Sequence, residues 1–252
     1  MKDARMRNEQ TDTLKQYIDA AASITVFTGA GISAESGIPT YRGDDGLWNT
    51  YDPAKFADID YFLKDPAYYW NFFKDIRYPF IASAEPNMAH AALADLEKQG
   101  LLKCLITQNI DGLHQLGGSR NVLELHGNTR RIKCLTCRLE YSMDEVFGIL
   151  AEQLPPVCPA CRGPLKPDVV FFGESLSRDV LDRAVKASRD CDLFLVVGSS
   201  LVVQPAASLP TIAKQNGAIV IIINKDPTPL DGMADMVLHT GASSALAGIT
   251  RQ

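Results

Sequence analysis

Four cysteines, Cys134, Cys137, Cys158 and Cys161, stand in two CxxC pairs with twenty residues between them, shortly after a lone His126-Gly127. Thiolates in that spacing favour tetrahedral zinc. Four of them close the coordination shell, so the expected metal is structural and activates no water. Proton transfer near neutral pH then falls to His126, since an unperturbed imidazole titrates at about 6.5. A histidine at the end of a strand, followed by glycine, is placed as a general base should be; an isolated histidine can equally be a plain structural residue.

A second constellation precedes it. Thr28-Gly29-Ala30-Gly31-Ile32-Ser33 follows the apolar run Ile24–Thr28 and reads as a strand entering a tight turn that opens a helix. Such a turn brings backbone N–H groups and a helix N-terminus against a pyrophosphate. The same glycines can also serve packing alone. Ala34 stands where the third glycine of the dinucleotide fingerprint belongs, which that fingerprint allows. A dehydrogenase would place an acidic residue about 20 positions on, at the end of a second strand. Asp44, Asp45 and Asp52 lie near that distance, but in a Pro/Gly/aromatic loop with no strand before them. A nucleotide is expected here; hydride transfer is not.

The elements that position these groups follow from periodicity. Residues 11–22 read as an amphipathic helix with Leu14, Tyr17, Ile18 and Ala21 on one face. Helices are expected over 86–99, 178–188 and Leu209–Gln215. Strands are expected over Ile24–Thr28, 104–107, 122–125, 169–172, Leu193–Val197, 218–223 and 236–239. Strands alternating with helices imply a parallel sheet covered on both faces. The fold class is α/β: a doubly wound, Rossmann-like parallel sheet interrupted by a helical insert and a small zinc-binding module. The expected division is 1–40, 81–126 and 167–252 for the nucleotide-binding domain. Residues 41–80 form a loop and helical insert, and 127–166 form the zinc module.

In an open α/β sheet the ligand lies beyond the carboxyl ends of the strands. Gly31, Gln108, Ser200 and Asn224 all fall at such ends. Thr107-Gln108-Asn109-Ile110-Asp111 ends one strand before a helix, where Asn109 or Asp111 can also act as a plain N-cap.

Composition limits the partners. The chain has 252 residues, 46% hydrophobic and 22% charged, with a net charge of -5. That balance suits a soluble globular protein and argues against non-specific nucleic-acid binding, which needs a basic face. No run approaches the ~20 apolar residues of a membrane span, and no signal-peptide core is evident near the N-terminus. Cys104 and Cys191 sit singly in apolar runs, so metal binding plus two buried thiols is expected rather than disulfides, in the cytoplasm.

Taken together, Gly29-Ala30-Gly31-Ile32-Ser33, Ser36-Gly37-Ile38-Pro39 and Tyr41-Arg42 resemble the sirtuin family of NAD-dependent protein deacylases. So do Thr107-Gln108-Asn109-Ile110-Asp111, His126-Gly127, the two CxxC pairs, Val170-Phe171-Phe172-Gly173-Glu174 and Gly198-Ser199-Ser200-Leu201. The resemblance runs in order from about residue 24 to Asn224, in a minimal catalytic core of bacterial or archaeal type.

That resemblance implies an NAD-dependent protein-lysine deacetylase, which consumes NAD as a co-substrate and passes the acyl group from lysine to ADP-ribose with release of nicotinamide. It implies that Ala30, Gly31 and Ser33 face the phosphates, and that Tyr41 and Arg42 belong to a mobile cofactor loop. Tyr41 stands where most relatives carry Phe. Gln108 and Asn109 would contact the ribose nearer nicotinamide, and Ile110 and Asp111 would form the nicotinamide pocket. Ser199, Ser200 and Asn224 would bind the adenosine half. His126 would be the general base on a ribose hydroxyl, with Asn109 beside it in the catalytic set. Val170, Phe171 and Phe172 on one side, and Leu201 and Val202 on the other, would wall the acyl-lysine tunnel, with the peptide added as a strand.

Relatives that remove succinyl groups carry a Tyr and an Arg three apart after the aromatic insert. Phe73 and Ile76 hold those positions here, with Arg77 one residue out of register, so apolar acyl groups are expected over succinyl. Acyl-lysine proteins or peptides are the expected partners, and the chain is expected to be a monomer. Transfer of ADP-ribose to a protein side chain is the rival within this chemistry. A zinc-ribbon binding module on an inactive nucleotide fold is the rival outside it, opposed by the intact Asn109, Asp111 and His126.

Overall fold

The computed structural model describes residues 2–43, 46–247 and 249. Among these residues nine strands follow in chain order: β1 (Ile24–Thr28), β2 (Leu102–Thr107), β3 (Val122–Glu124), β4 (Gly127–Cys134), β5 (Glu140–Ser142), β6 (Leu165–Val169), β7 (Leu193–Val197), β8 (Ile219–Ile223) and β9 (Met236–Leu238). Six of them form a parallel sheet in the order β3-β2-β1-β7-β8-β9. The order reverses between β1 and β7, which is the crevice where doubly wound sheets receive ligands.

Continuous apolar runs form these strands because both faces are covered. Every residue of β1 and β7 is buried, and alternate residues enter two separate cores. Val26 and Leu195 join Leu14, Ile18 and Leu93 on one face. Phe27 and Val196 join Ile106, Phe194 and Ile222 on the other. The N-terminal helix Lys2–Ala20 supplies Leu14 and Ile18, as its periodicity requires, and ends two residues before the expected stop.

Register decides where the chemistry sits. Thr28 pairs with both Thr107 and Val197, and Val197 pairs with Ile223. The ends of β1, β2, β7 and β8 are therefore level, which brings Gly29, Gln108, Gly198 and Asn224 to one rim.

A second, small antiparallel sheet has the order β5-β4-β6. Its core is shared with the helical insert: Phe62, Trp70 and Phe73 pack with Ile132, Cys134, Val146, Cys158 and Leu165. The Trp70 indole donates to the Leu165 carbonyl at 3.0 Å. Insert and zinc module are thus one packed unit.

The strand expected over 169–172 is corrected. The strand is Leu165–Val169, it belongs to the small sheet, and it ends where the expected one begins. An apolar run alone does not say which sheet it joins. Phe171 turns into the small core against Phe62 and Tyr69, while Phe172 is 46% exposed beside an isolated bridge to Asp58. Residue 167 consequently lies inside β6.

Candidate active site

The rim of level strand ends borders a cleft of about 1560 Å³ between the two sheets. Pockets for drug-sized ligands are roughly 300–1,000 Å³, so this cleft is larger than one small molecule needs.

At the switch point two loops meet backbone to backbone. Gly29 N–H donates to Val197 O at 3.1 Å, and Gly31 N–H donates to Gly198 O at 2.8 Å. A Cβ on Gly31 would stand 2.7 Å from Gly198 Cα, and one on Gly198 would stand 2.3 Å from Ile32 N. These glycines are required by loop contact, so the packing role holds even where the cleft is lined. The expected helix does not open here; two single-turn 3₁₀ helices, Ala30–Ile32 and Ala34–Ser36, follow instead. Asp52 caps the helix Pro53–Phe56 by accepting from Ala54 N–H, while Asp44 and Asp45 lie outside the described residues.

Behind that wall runs a buried polar relay. Asn109 Nδ2 donates to Ser33 Oγ at 3.0 Å, and Ser33 Oγ donates to Asp111 Oδ2 at 2.8 Å. The other Asp111 oxygen accepts the Leu113 N–H at 2.9 Å, at the start of the helix Leu113–Leu116. Both Asp111 oxygens are therefore spent inside the protein, one on Ser33 and one on the Leu113 N–H, and the side chain does not line the cleft, contrary to the expected place in a nicotinamide pocket. Ser33 and Asp111 stand behind the surface and hold Asn109 and Ile110, which line the cleft. Across the switch point Gln108 Nε2 donates to Ser199 Oγ at 2.8 Å.

His126 follows β3 and lines the same cleft. Its Nδ1 lies 3.1 Å from the Gln108 carbonyl oxygen. A carbonyl only accepts, so Nδ1 carries the proton and Nε2 keeps its lone pair. Burial holds the ring below the usual imidazole pKa, while the Gln108 bond opposes that shift. Gly127 is needed next to it: with φ at 77°, a Cβ there would sit 1.9 Å from Asp168 O. This close approach seats β6 against β4, and the Val170 N–H donates back to His126 O at 2.9 Å.

Of the remaining expected residues, Ala30, Gly31, Tyr41, Arg42, Ser200 and Asn224 line the cleft. Val170, Phe171 and Phe172 do as well. Leu201 and Val202 do not: Leu201 is buried in the large core, and Val202 faces solvent. Sequence reasoning missed Trp48, Tyr69 and Glu174 and set Arg77 aside, although all four reach the cleft. Glu174 Oε2 accepts the Phe171 N–H at 2.7 Å and pairs with the buried Lys166 at 2.8 Å. Its place within the Phe171-Phe172-Gly173-Glu174 run was the signal available.

The four cysteine sulfurs lie within 4.8 Å of one another. A tetrahedron with Zn–S bonds of about 2.3 Å has edges of about 3.8 Å, so the set fits one zinc ion. Arg138 and Arg162, each following the second cysteine of its pair, both have positive φ, at 65° and 62°. The paired turns they close are matched around one centre. The Tyr141 hydroxyl, 2.9 Å from Cys158 Sγ, lowers that thiol to about 6, so a thiolate is at hand for the metal.

The chain is similar to known proteins over most of its length. The Sir2 family model matches residues 29–205. The chain is 46% identical over 242 residues to the NAD-dependent protein deacylase 1 of Archaeoglobus fulgidus, covering 95% of this chain and 96% of that one. It is 50% identical over 221 residues to an NAD-dependent protein deacetylase of Caldivirga maquilingensis, covering 87% and 84%. Among solved structures, a Sir2 protein with a p53 peptide and NAD+ superposes with a TM-score of 0.87 at 38% identity, covering 93% and 94%. A Sir2 histidine variant with deacetylated p53 peptide and 3'-O-acetyl ADP ribose gives 0.91 at 37% identity, covering 96% and 99%.

Proposed function

The chain belongs to the Sir2 family, and on that premise we propose that it is an NAD-dependent protein-lysine deacylase, passing the acyl group to ADP-ribose with release of nicotinamide. The observation that carries the reading is the tautomer of His126, fixed by Gln108 O, on a cleft wall beside Asn109. When bound, NAD supplies a ribose carbon made electrophilic by a cationic leaving group. His126 Nε2 would take a hydroxyl proton from the bound nucleotide, and burial keeps the ring neutral and ready for it. Asn109, held by Ser33, and Ile110 orient the nicotinamide end. Ala30, Gly31, Ser199, Ser200 and Asn224 support the rest of the nucleotide, and Tyr41 and Arg42 exclude water from the reacting centre.

Val170 and Phe172 line the cleft and offer side-chain contacts to an acyl-lysine peptide, since their backbone N–H groups are already bonded to His126 O and Ala57 O. The exposed position of Phe172 supports this, whereas the buried Leu201 supports only an indirect role. The preference for an apolar acyl group rests on the rings of Tyr69, Phe72 and Phe73 in the lining; Ile76 lies outside it and Arg77 within it, engaged with Tyr41. Zinc, held by the four cysteines, fixes the small domain in shape. The two CxxC pairs spaced for zinc and the two single buried cysteines, Cys104 and Cys191, favour a reducing compartment, and we propose a cytoplasmic monomer. No helix among the described residues is long and apolar enough to cross a membrane.

Incubation with an acetyl-lysine peptide and NAD should release nicotinamide only when the peptide is present. Nicotinamide release that ignores the peptide would sink the reading. A succinyl peptide turned over faster than an acetyl peptide would overturn the acyl preference alone.

A further inference from the structure

The helix that ends the aromatic insert widens to a π turn over Phe73–Arg77. Such widened turns gather at functional sites. Here Tyr69, Phe73 and Arg77 come to one face and line the cleft, while Ile76 is left out. Arg77 is only 6% exposed, and among the described residues no carboxylate lies within ion-pair distance of it. Its Nη1 is buried without a hydrogen-bond partner. A buried charge held this way is unfavourable unless another interaction offsets it.

That interaction reaches across to the opposite loop. Arg77 Nη2 donates to the Tyr41 hydroxyl at 2.7 Å, and the guanidinium lies 4.6 Å from the Tyr41 ring centroid. Tyr41 packs in turn against Trp48, with ring centroids 4.9 Å apart and the planes tilted by 33°. The loop closes on itself through Leu47 N–H to Thr40 O at 2.9 Å and Trp48 N–H to Tyr41 O at 3.0 Å. Thus Tyr41 is the side chain through which a self-closed loop meets a helix of the insert.

We propose that Arg77 is a positioning residue that clamps the Tyr41 loop over the nucleotide cleft, through one charge-assisted hydrogen bond and a cation–π contact. The kinetic consequence rests on the deacylase reading; the clamp itself does not. Both Arg77 contacts depend on its planar fork, so lysine is a poor substitute.

Arg42 is exposed on the same loop, so trypsin cleavage after it, followed by mass spectrometry without NAD, reports loop release. Arg77→Met, which removes both contacts, should raise that cleavage rate about tenfold, Tyr41→Phe, which keeps the ring, should raise it less, and the double variant should match Arg77→Met. With NAD and acetyl-lysine peptide, both should raise KM for NAD more than they lower kcat, and Arg77→Lys should restore little. Tyr41→Phe removes one oxygen from a partly exposed loop, so it keeps the question answerable where Arg77→Met fails to fold. Unchanged cleavage in folded Tyr41→Phe overturns the clamp, as do single effects that multiply in the double variant. Should the protein release no nicotinamide at all, the deacylase reading falls while the trypsin result still decides the clamp.

Discussion

The Ser33 hydroxyl donates to the Asp111 carboxylate at 2.8 Å while accepting from Asn109. Ser33 comes from the turn after β1 and Asp111 from the turn after β2, so this one hydroxyl fixes two strand-end loops against each other. It lies fully buried, where solvent cannot replace it. Its part is to present Asn109 and Ile110 to the cleft.

Replacing Ser33 with alanine leaves a buried carboxylate oxygen and a buried amide without their partner. Each such orphan costs roughly 1–3 kcal/mol. Ser33→Ala is expected to lower unfolding stability by about 2 kcal/mol and kcat/KM by more than about tenfold. Urea titration and steady-state kinetics on the same preparation check both. Full activity at reduced stability would confine Ser33 to the fold.

His126 predicts a pH profile. A base whose pKa is lowered by burial stays neutral to lower pH than free imidazole. The acid limb of kcat/KM should therefore fall below the ordinary value of about 6.5 and be flat above it. His126→Ala should reduce kcat/KM by at least ~100-fold with the melting temperature nearly unchanged. An acid limb that persists in that variant would assign the titration elsewhere.

The sheet was legible because its strands are unbroken apolar runs bounded by glycine and polar residues. Leu193–Val197 and Ile24–Thr28 fall where periodicity puts them. The small sheet was less so. Residues 169–172 carry an equally apolar run, but Phe171 belongs to a core built from Phe62 and Trp70, about a hundred residues upstream. Long-range packing of this kind leaves no local period. Likewise Asp111 read as either cap or ligand, because the sequence cannot show that its two oxygens point to different partners. Arg77 was discounted by α-helical register, and the π turn is what carries it to the cleft.

Removing zinc tests the small packed unit. Cys134 and Cys158 are buried in the core shared with Phe62 and Trp70, so losing the metal should loosen the helical insert as well. Metal analysis of the unaltered protein should give one zinc ion per chain, and Cys137→Ser should abolish it, lower the melting temperature and reduce turnover. Zinc lost with melting and activity both intact would contradict a structural site.

Acid sensitivity should arise beneath the cleft, where the His90 and His114 rings pack at a tilt of 57° with centroids 4.9 Å apart. His114 Nε2 lies 2.9 Å from Thr28 Oγ1, His90 Nδ1 lies 3.0 Å from Asn87 Oδ1, and the other ring nitrogens are buried without partners. Burial lowers His90 to about 4, against a smaller opposing pull from Asp111. It also lowers His114 well below the usual value, with His90 adding to the shift. In the unfolded chain both titrate near 6.5, so as pH falls the unfolded state takes up protons first. The stability is present in full above about 6.5 and is lost as pH drops toward the folded values. By pH 5 His90 alone should cost about 2 kcal/mol, with His114 adding in the same direction. Urea midpoints between pH 7 and 5 measure the slope, and His90→Gln, which cannot titrate, should make it shallower by about one proton. Parallel slopes in the two proteins would place the acid sensitivity outside this pair.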